Sequence, residues 1–131
     1  MRYVLDSTVV IDYANDHPPG IAVVDRLFSE TAELFTCDVV TCEALSGGRP
    51  PELGAVRALL DALEYVAIDP HAARWAGDRR RERHAAGRKH SIADTLIAAV
   101  AWRLNATIVT RNPRDFAPLG VPVLEYDPQL P

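Results

Sequence analysis

Four carboxylates in this chain are placed where they could do chemistry: Asp6, Glu43, Asp94 and Asp115. Each also has an ordinary use when taken singly. Asp6 closes the apolar run Tyr3–Leu5 and opens a helix, where an Asp N-cap only has to accept a backbone N–H. Glu43 lies beside Val40, Cys42, Ala44 and Leu45, where an exposed helical glutamate is the default. Asp94 belongs to Ser91-Ile92-Ala93-Asp94-Thr95-Leu96-Ile97, which is apolar almost all round. Burial is expected there, so an acid needs a reason. Ser91-x-x-Asp94 has capping-box spacing, which is one such reason. Asp115 follows the turn signal Asn112-Pro113 and precedes Phe116, a residue able to pin the loop to the core.

If the four converge, their repulsion must be offset. Two carboxylates ~4 Å apart repel by roughly 4 kcal/mol at an effective dielectric near 20. Protonation or a divalent cation would relieve this. Mg²⁺ takes oxygen ligands and keeps several waters, which suits acids around an open side. No histidine adjoins any of the four in sequence, which argues against zinc. The chemistry that such a cluster supports is phosphodiester hydrolysis, with one metal or two.

The elements that must position these acids alternate strand and helix. Strands are expected at Tyr3–Leu5, Leu34–Cys37, Tyr65–Ile68 and Thr107–Thr110, with a fifth at Val121–Tyr126 despite Pro122. Helices are expected after Asp6, over Ile21–Glu33, from Asp38 to Leu45, from Glu52 to Leu63, from Pro70 to Gly87 and from Ser91 to Leu104. Pro18-Pro19-Gly20 reads as a break, and Ser46–Pro51 as a loop. Asp69-Pro70 is a helix start with Asp as N-cap and Pro at the first position. This order implies an α/β domain with a mostly parallel sheet, in which ligands bind beyond the carboxyl ends of strands. Asp6 and Asp115 both follow a strand closely.

The chain of 131 residues is the size of one domain, read as 1–131. Its 48% hydrophobic and 24% charged content is that of a globular fold. No apolar run is long enough for a bilayer, and Met1–Asp6 does not read as a signal peptide, so a cytoplasmic location is expected. Cys37 and Cys42 are too few for a disulfide framework and are read as buried, reduced thiols. The net charge of −4 counts against nucleic-acid binding, although the distribution of charge matters more than its sum.

At the four acids the sequence resembles the PIN-domain ribonucleases, specifically VapC-type toxins of bacterial type II toxin–antitoxin pairs. Val4-Leu5-Asp6-Ser7-Thr8 is similar to the family's opening motif, a strand ending in Asp-Ser/Thr. Thr41-Cys42-Glu43 falls where the family has its glutamate, with Ala44 in place of a larger aliphatic. Asp94-Thr95-Leu96-Ile97-Ala98 looks like the third motif. Thr110-Arg111-Asn112-Pro113-Arg114-Asp115-Phe116 looks like the last. The resemblance covers nearly the whole chain. It implies a three-layer fold, with a mostly parallel sheet of about five strands flanked by helices and the acids at one end. It implies Mg²⁺ or Mn²⁺ held by Asp6, Glu43, Asp94 and Asp115, and hydrolysis of RNA that leaves a 5′-phosphate. It also implies a homodimer and an antitoxin whose C-terminal peptide blocks the site. Ser7, Thr110 and Asn112 would orient the acids or a water.

Arg79-Arg80-Arg81-Glu82-Arg83 and Arg88-Lys89-His90 form a dense basic run before the Asp94 helix. It is read either as a solvated face or as an RNA-backbone contact made by Arg79, Arg80, Arg83 and Arg88, joined by Arg111 and Arg114, which flank Asp115. Pairing with an acidic antitoxin segment is a further use. Trp75 and Trp102 are expected to pack in the core or a dimer, and the histidines have no assigned catalytic role. An aspartyl-phosphate phosphatase would want a second Asp two residues after the first, where this chain has Thr8. The other alternative is a catalytically silent module that acts through an antitoxin as a DNA-bound corepressor.

Overall fold

A computed structural model describes residues 1–126; positions 127–131, the tail of the expected domain, lie outside the described residues. Its strands are β1 (Arg2–Leu5), β2 (Glu33–Cys37), β3 (Glu64–Val66), β4 (Thr107–Thr110) and β5 (Val123–Glu125). Its helices are α1 (Ser7–Ala14), α2 (Pro18–Ser29), α3 (Asp38–Gly47), α4 (Leu53–Ala62), α5 (Pro70–Ala85) and α6 (Ile92–Leu104). The sheet order is β3-β2-β1-β4-β5, and every neighbouring pair is parallel. Parallel strands are covered on both faces, and the sequence of β1 shows it: Val4 and Leu5 have no exposed surface.

The order places a switch point between β1 and β4. From β1 the chain winds outward to β2 and β3, then crosses back to β4 and β5. Right-handed crossovers put α1–α4 on one face of the sheet and α5–α6 on the other, giving three layers. In agreement, α1 packs on α2, α3 and α4, whereas α6 packs on α5, β1 and β4. The register pairs Tyr3 with Leu34 and Thr107, and Val4 with Phe35 and Ile108. Leu27, Val40, Val56, Ile97, Ile108, Phe116 and Leu119 fill the core.

Several boundaries differ from expectation. Pro18 and Pro19 open α2 instead of breaking the chain, because the first turn of a helix has no use for their missing N–H groups. The same helix ends at Ser29, not Glu33, because Glu33 is taken into β2 opposite Arg2. The helix α3 runs past Leu45 to Gly47, with Ser46 Oγ donating to the Cys42 carbonyl at 2.7 Å. The edge strand β3 spans Glu64–Val66, and Ile68 instead gives its N–H to Asp38 Oδ2 at 3.4 Å. Asn105 ends α6 in the left-handed region at φ 53°, a conformation that asparagine tolerates.

Candidate functional site

Asp6 follows β1 at the switch point, where its N–H continues the ladder to the Val109 carbonyl at 3.1 Å. Asp6 is only 3% exposed, and both of its carboxylate oxygens accept hydrogen bonds. Oδ1 caps α1, accepting from Thr8 N at 2.8 Å, Thr8 Oγ1 at 2.5 Å and Val9 N at 3.3 Å. Oδ2 accepts from Thr110 Oγ1 at 2.6 Å. Thr110 Oγ1 in turn accepts the Asn112 N–H at 2.9 Å, which leaves its own proton for Asp6. Burial raises the Asp6 pKa, and the bonds from Thr110, Thr8 and Val9 act in the opposite direction.

Glu43 reaches the same end of the sheet from α3, and Ser7 Oγ donates to its Oε1 at 3.1 Å. Asp94 lies in the first turn of α6, where Ser91 Oγ accepts its backbone N–H at 3.0 Å, as the capping spacing predicts. Its pKa is raised to about 6, first by burial, then by Asp115, with Glu43 and Asp6 adding to the rise against the lowering bond from Ser91. All three other acids therefore act on Asp94. Asp115 sits in a single 3-10 turn, Pro113–Asp115, anchored by the adjacent Phe116, which is 1% exposed.

Among the described residues, no three His, Cys, Asp or Glu side chains form a ready chelating group. The donor chemistry nevertheless suits a hard divalent cation. The four groups are all carboxylates, and at Asp94 the charges of Asp115, Glu43 and Asp6 add to the rise that burial leads. A cation that keeps several waters and takes only one or two direct carboxylates fits such a spread set.

The basic run is more internally engaged than a free RNA-facing stripe would be. Arg79 lies over the Trp75 ring at 5.3 Å and pairs with Glu82 at 3.3 Å. Arg80 Nε donates to the His90 carbonyl at 2.9 Å, and Arg83 Nε donates to His90 Nε2 at 3.2 Å. Arg88 is exposed. Arg111 is paired with Asp12 at 3.2 Å. Trp75 and Trp102 stack on each other with centroids 5.3 Å apart, and Trp102 is partly exposed rather than in the core. Cys37 is buried, and burial pushes its thiol pKa up; Cys42, expected to be buried, is exposed.

Of two further residues near the acids, Asp12 escaped the sequence reading, whereas His90 was placed in the basic run without a catalytic role. His90 hydrogen-bonds the Asp115 backbone and feels its charge, while burial, the leading cause, and Arg83 lower its pKa. Asp12 is buried on α1, and Tyr126 Oη donates to its Oδ2 at 2.7 Å. Asp12 had a legible signal: it shares the helical stripe of Val9 and Tyr13, so an acid was facing inward.

The comparisons with known proteins agree with this architecture. Ribonuclease VapC19 of Mycobacterium tuberculosis is 29% identical over 112 residues, covering 86% of this chain and 90% of that protein. A chain of VapBC2 from Rickettsia felis, solved bound to a DNA fragment from their promoter, superposes with a TM-score of 0.83 at 22% identity. That match covers 97% of this chain and all of the other. A chain of DNA-bound VapBC from Salmonella typhimurium superposes with a TM-score of 0.82 at 22% identity, covering 95% of this chain and 98% of that one. The sequence model of the PIN domain matches residues 3–120, nearly the whole α/β unit that carries the four acids, and the chain belongs to the PIN domain family.

Proposed function

We propose that this protein is a divalent-cation-dependent endoribonuclease, the toxin of a toxin–antitoxin pair. The observation that carries the reading is the convergence on Asp94 at the carboxyl ends of the strands beside the switch point: burial first, then Asp115, with Glu43 and Asp6 adding, raises its pKa. Asp6, Glu43, Asp94 and Asp115 are the residues that would hold Mg²⁺ or Mn²⁺. Such a cation, when bound, offsets charge on a phosphate and makes a water a better nucleophile at neutral pH.

The chain's own residues prepare the site. Thr110 and the N-terminus of α1 fix Asp6 in one orientation, so no rearrangement is needed at the moment of reaction. Ser7 does the same for Glu43. The first turn of α6 adds favourable N–H dipoles near Asp94. Asn112 acts through its backbone, aiming the Thr110 hydroxyl. In the reaction, water attacks a backbone phosphorus, its proton passes to a carboxylate or to solvent, and the 3′-oxygen leaves with a proton, giving a 5′-phosphate on the other fragment.

The curated relative is named a ribonuclease, and the structural relatives come from VapBC assemblies, which supports a protein antitoxin as partner; a homodimer is the working form that the family resemblance implies. Among the described residues no helix is long and apolar enough to cross a membrane.

The direct test is cleavage of labelled total RNA by purified, antitoxin-free protein in Mg²⁺, Mn²⁺ or EDTA, beside folded Asp94→Asn. Discrete fragments that require metal and vanish in the variant are expected. Folded, metal-binding protein that cuts no RNA under any condition would overturn the reading in favour of a silent binding module.

A further inference from the structure

Asp12 is an acid that the four-carboxylate site does not use. It is buried to more than nine-tenths, yet its Oδ2 meets two donors: Tyr126 Oη at 2.7 Å and Arg111 Nη1 at 3.2 Å. Its position on α1 is fixed by close packing against α2, where a Cβ on Gly20 would come within 2.8 Å of Asp12 Cβ. Arg111 leaves the core at the end of β4, and its side chain stays 40% exposed. A groove of about 470 Å³, lined by Arg111, Asn112, Pro113, Arg114, Asp115 and Glu125, opens at that point. One wall of the groove is thus an acid of the candidate site, and another is a guanidinium held from behind.

A phosphate approaching four carboxylates in a chain of net charge −4 is repelled unless a local cation receives it. A guanidinium carries five N–H donors, so pairing with Asp12 leaves others for a second anion. Holding the side chain before the ligand arrives removes much of the ordering cost of binding. We propose that Arg111 binds a backbone phosphate of single-stranded RNA in this groove, and that Asp12 and Tyr126 are positioning residues that aim it. This rests on the ribonuclease reading and names a phosphate subsite beside its acids.

The test is binding of a short, labelled, single-stranded oligoribonucleotide of mixed sequence in EDTA, where it stays intact, over a range of salt. Arg111→Gln is expected to weaken binding about ten-fold and to reduce the salt slope by about 0.7, the value for one phosphate contact on a single strand. Asp12→Asn is expected to weaken binding while leaving the slope unchanged, because the cation is still present but no longer held. The double variant, which leaves no unpaired buried charge, should bind no worse than Arg111→Gln alone, since Asp12 acts only through Arg111. Tyr126→Phe should follow Asp12→Asn in the same direction, and Arg111→Lys should keep the slope with reduced affinity.

An unchanged salt slope and affinity in folded Arg111→Gln would overturn the proposal. So would additive losses in the double variant, which would assign Asp12 a plain structural role. If wild-type protein cleaves RNA yet shows either result, only this inference falls. If wild-type protein cleaves RNA with Mg²⁺ or Mn²⁺ yet binds none in EDTA, only this inference falls; if it neither binds nor cleaves RNA, the inference falls together with the ribonuclease reading.

Discussion

The Thr110 hydroxyl donates to Asp6 Oδ2 across 2.6 Å, joining residues 104 positions apart in the chain. With the Asp6 N–H on the Val109 carbonyl, this bond ties the ends of β1 and β4 together at the switch point. It also decides which lone pairs of Asp6 remain for other partners, since Oδ1 already accepts from Thr8 and Val9. Thr110→Val keeps the shape and removes the donor. Cation affinity, followed by calorimetric titration with Mn²⁺, should fall by about ten-fold or more, as is usual when a group that orients a metal ligand is lost. A circular dichroism spectrum like that of the wild type would show the loss to be local.

The raised pKa of Asp94 makes a prediction about stability. The folded state binds this proton more tightly than the unfolded chain, with a pKa of about 6 against 3.8. The contribution of Asp94 to stability is therefore fully present below pH ~3.8 and is lost as pH rises through about 6. In EDTA, Asp94→Asn should be more stable than the wild type at pH 7, with the advantage shrinking towards pH 4. Thermal melts of both proteins across that range check it. A wild type that remains the more stable of the two at pH 7 would show that burial and the neighbouring acids do not penalise the ionised Asp94.

Cation binding should follow the same proton. Protonation of Asp94 competes with a divalent ion, so Mg²⁺ or Mn²⁺ affinity should decline as pH drops through about 6. Proton release on Mn²⁺ addition, measured in lightly buffered solution near pH 6, is the expected signature. Asp94→Asn should abolish most of that release.

Gly20 predicts an inverted helix-propensity effect. An alanine in a helix is ordinarily favoured over glycine by roughly 1 kcal/mol. In α2, however, the new methyl would meet Asp12 Cβ at 2.8 Å and backbone atoms of Asp12 and Tyr13 within 3.3 Å. Gly20→Ala should therefore destabilise the fold by about 1–3 kcal/mol, the usual range for overpacking. Urea denaturation gives the number, and a neutral or stabilising result would mean that α1 and α2 pack less closely than a 2.8 Å approach requires.

Phe116 holds the turn that presents Asp115 and has almost no exposed surface. Phe116→Ala should cost about 3–5 kcal/mol, as large core aromatics do. Below the melting temperature of the variant, RNA cleavage should drop by more than the unfolded fraction explains, because Asp115 loses its anchor. Equal losses of cleavage and folded protein would limit Phe116 to the core.

Much of this molecule is written locally. The apolar runs at Tyr3–Leu5, Leu34–Cys37 and Thr107–Thr110 announce strands buried on both faces. Asp6, Asp69 and Ser91 announce helix starts, and their side chains do accept the capping N–H groups. The spacing of these elements already implied a parallel α/β sheet, with Asp6 and Asp115 just beyond strands. Such features depend on a residue and its near neighbours, so they can be read from order alone. What only the tertiary structure decided are the partners of charged and polar groups. Arg80 and Arg83 are bound to His90, Arg111 to Asp12, and Tyr126 to Asp12, across separations that no periodicity encodes. The exposure of Cys42 and the stacking of Trp75 on Trp102 belong with them. The physical reason is that the crossovers, not the local pattern, set which strand ends and helix faces meet. A charge takes its role from whatever the fold brings within a few ångströms of it.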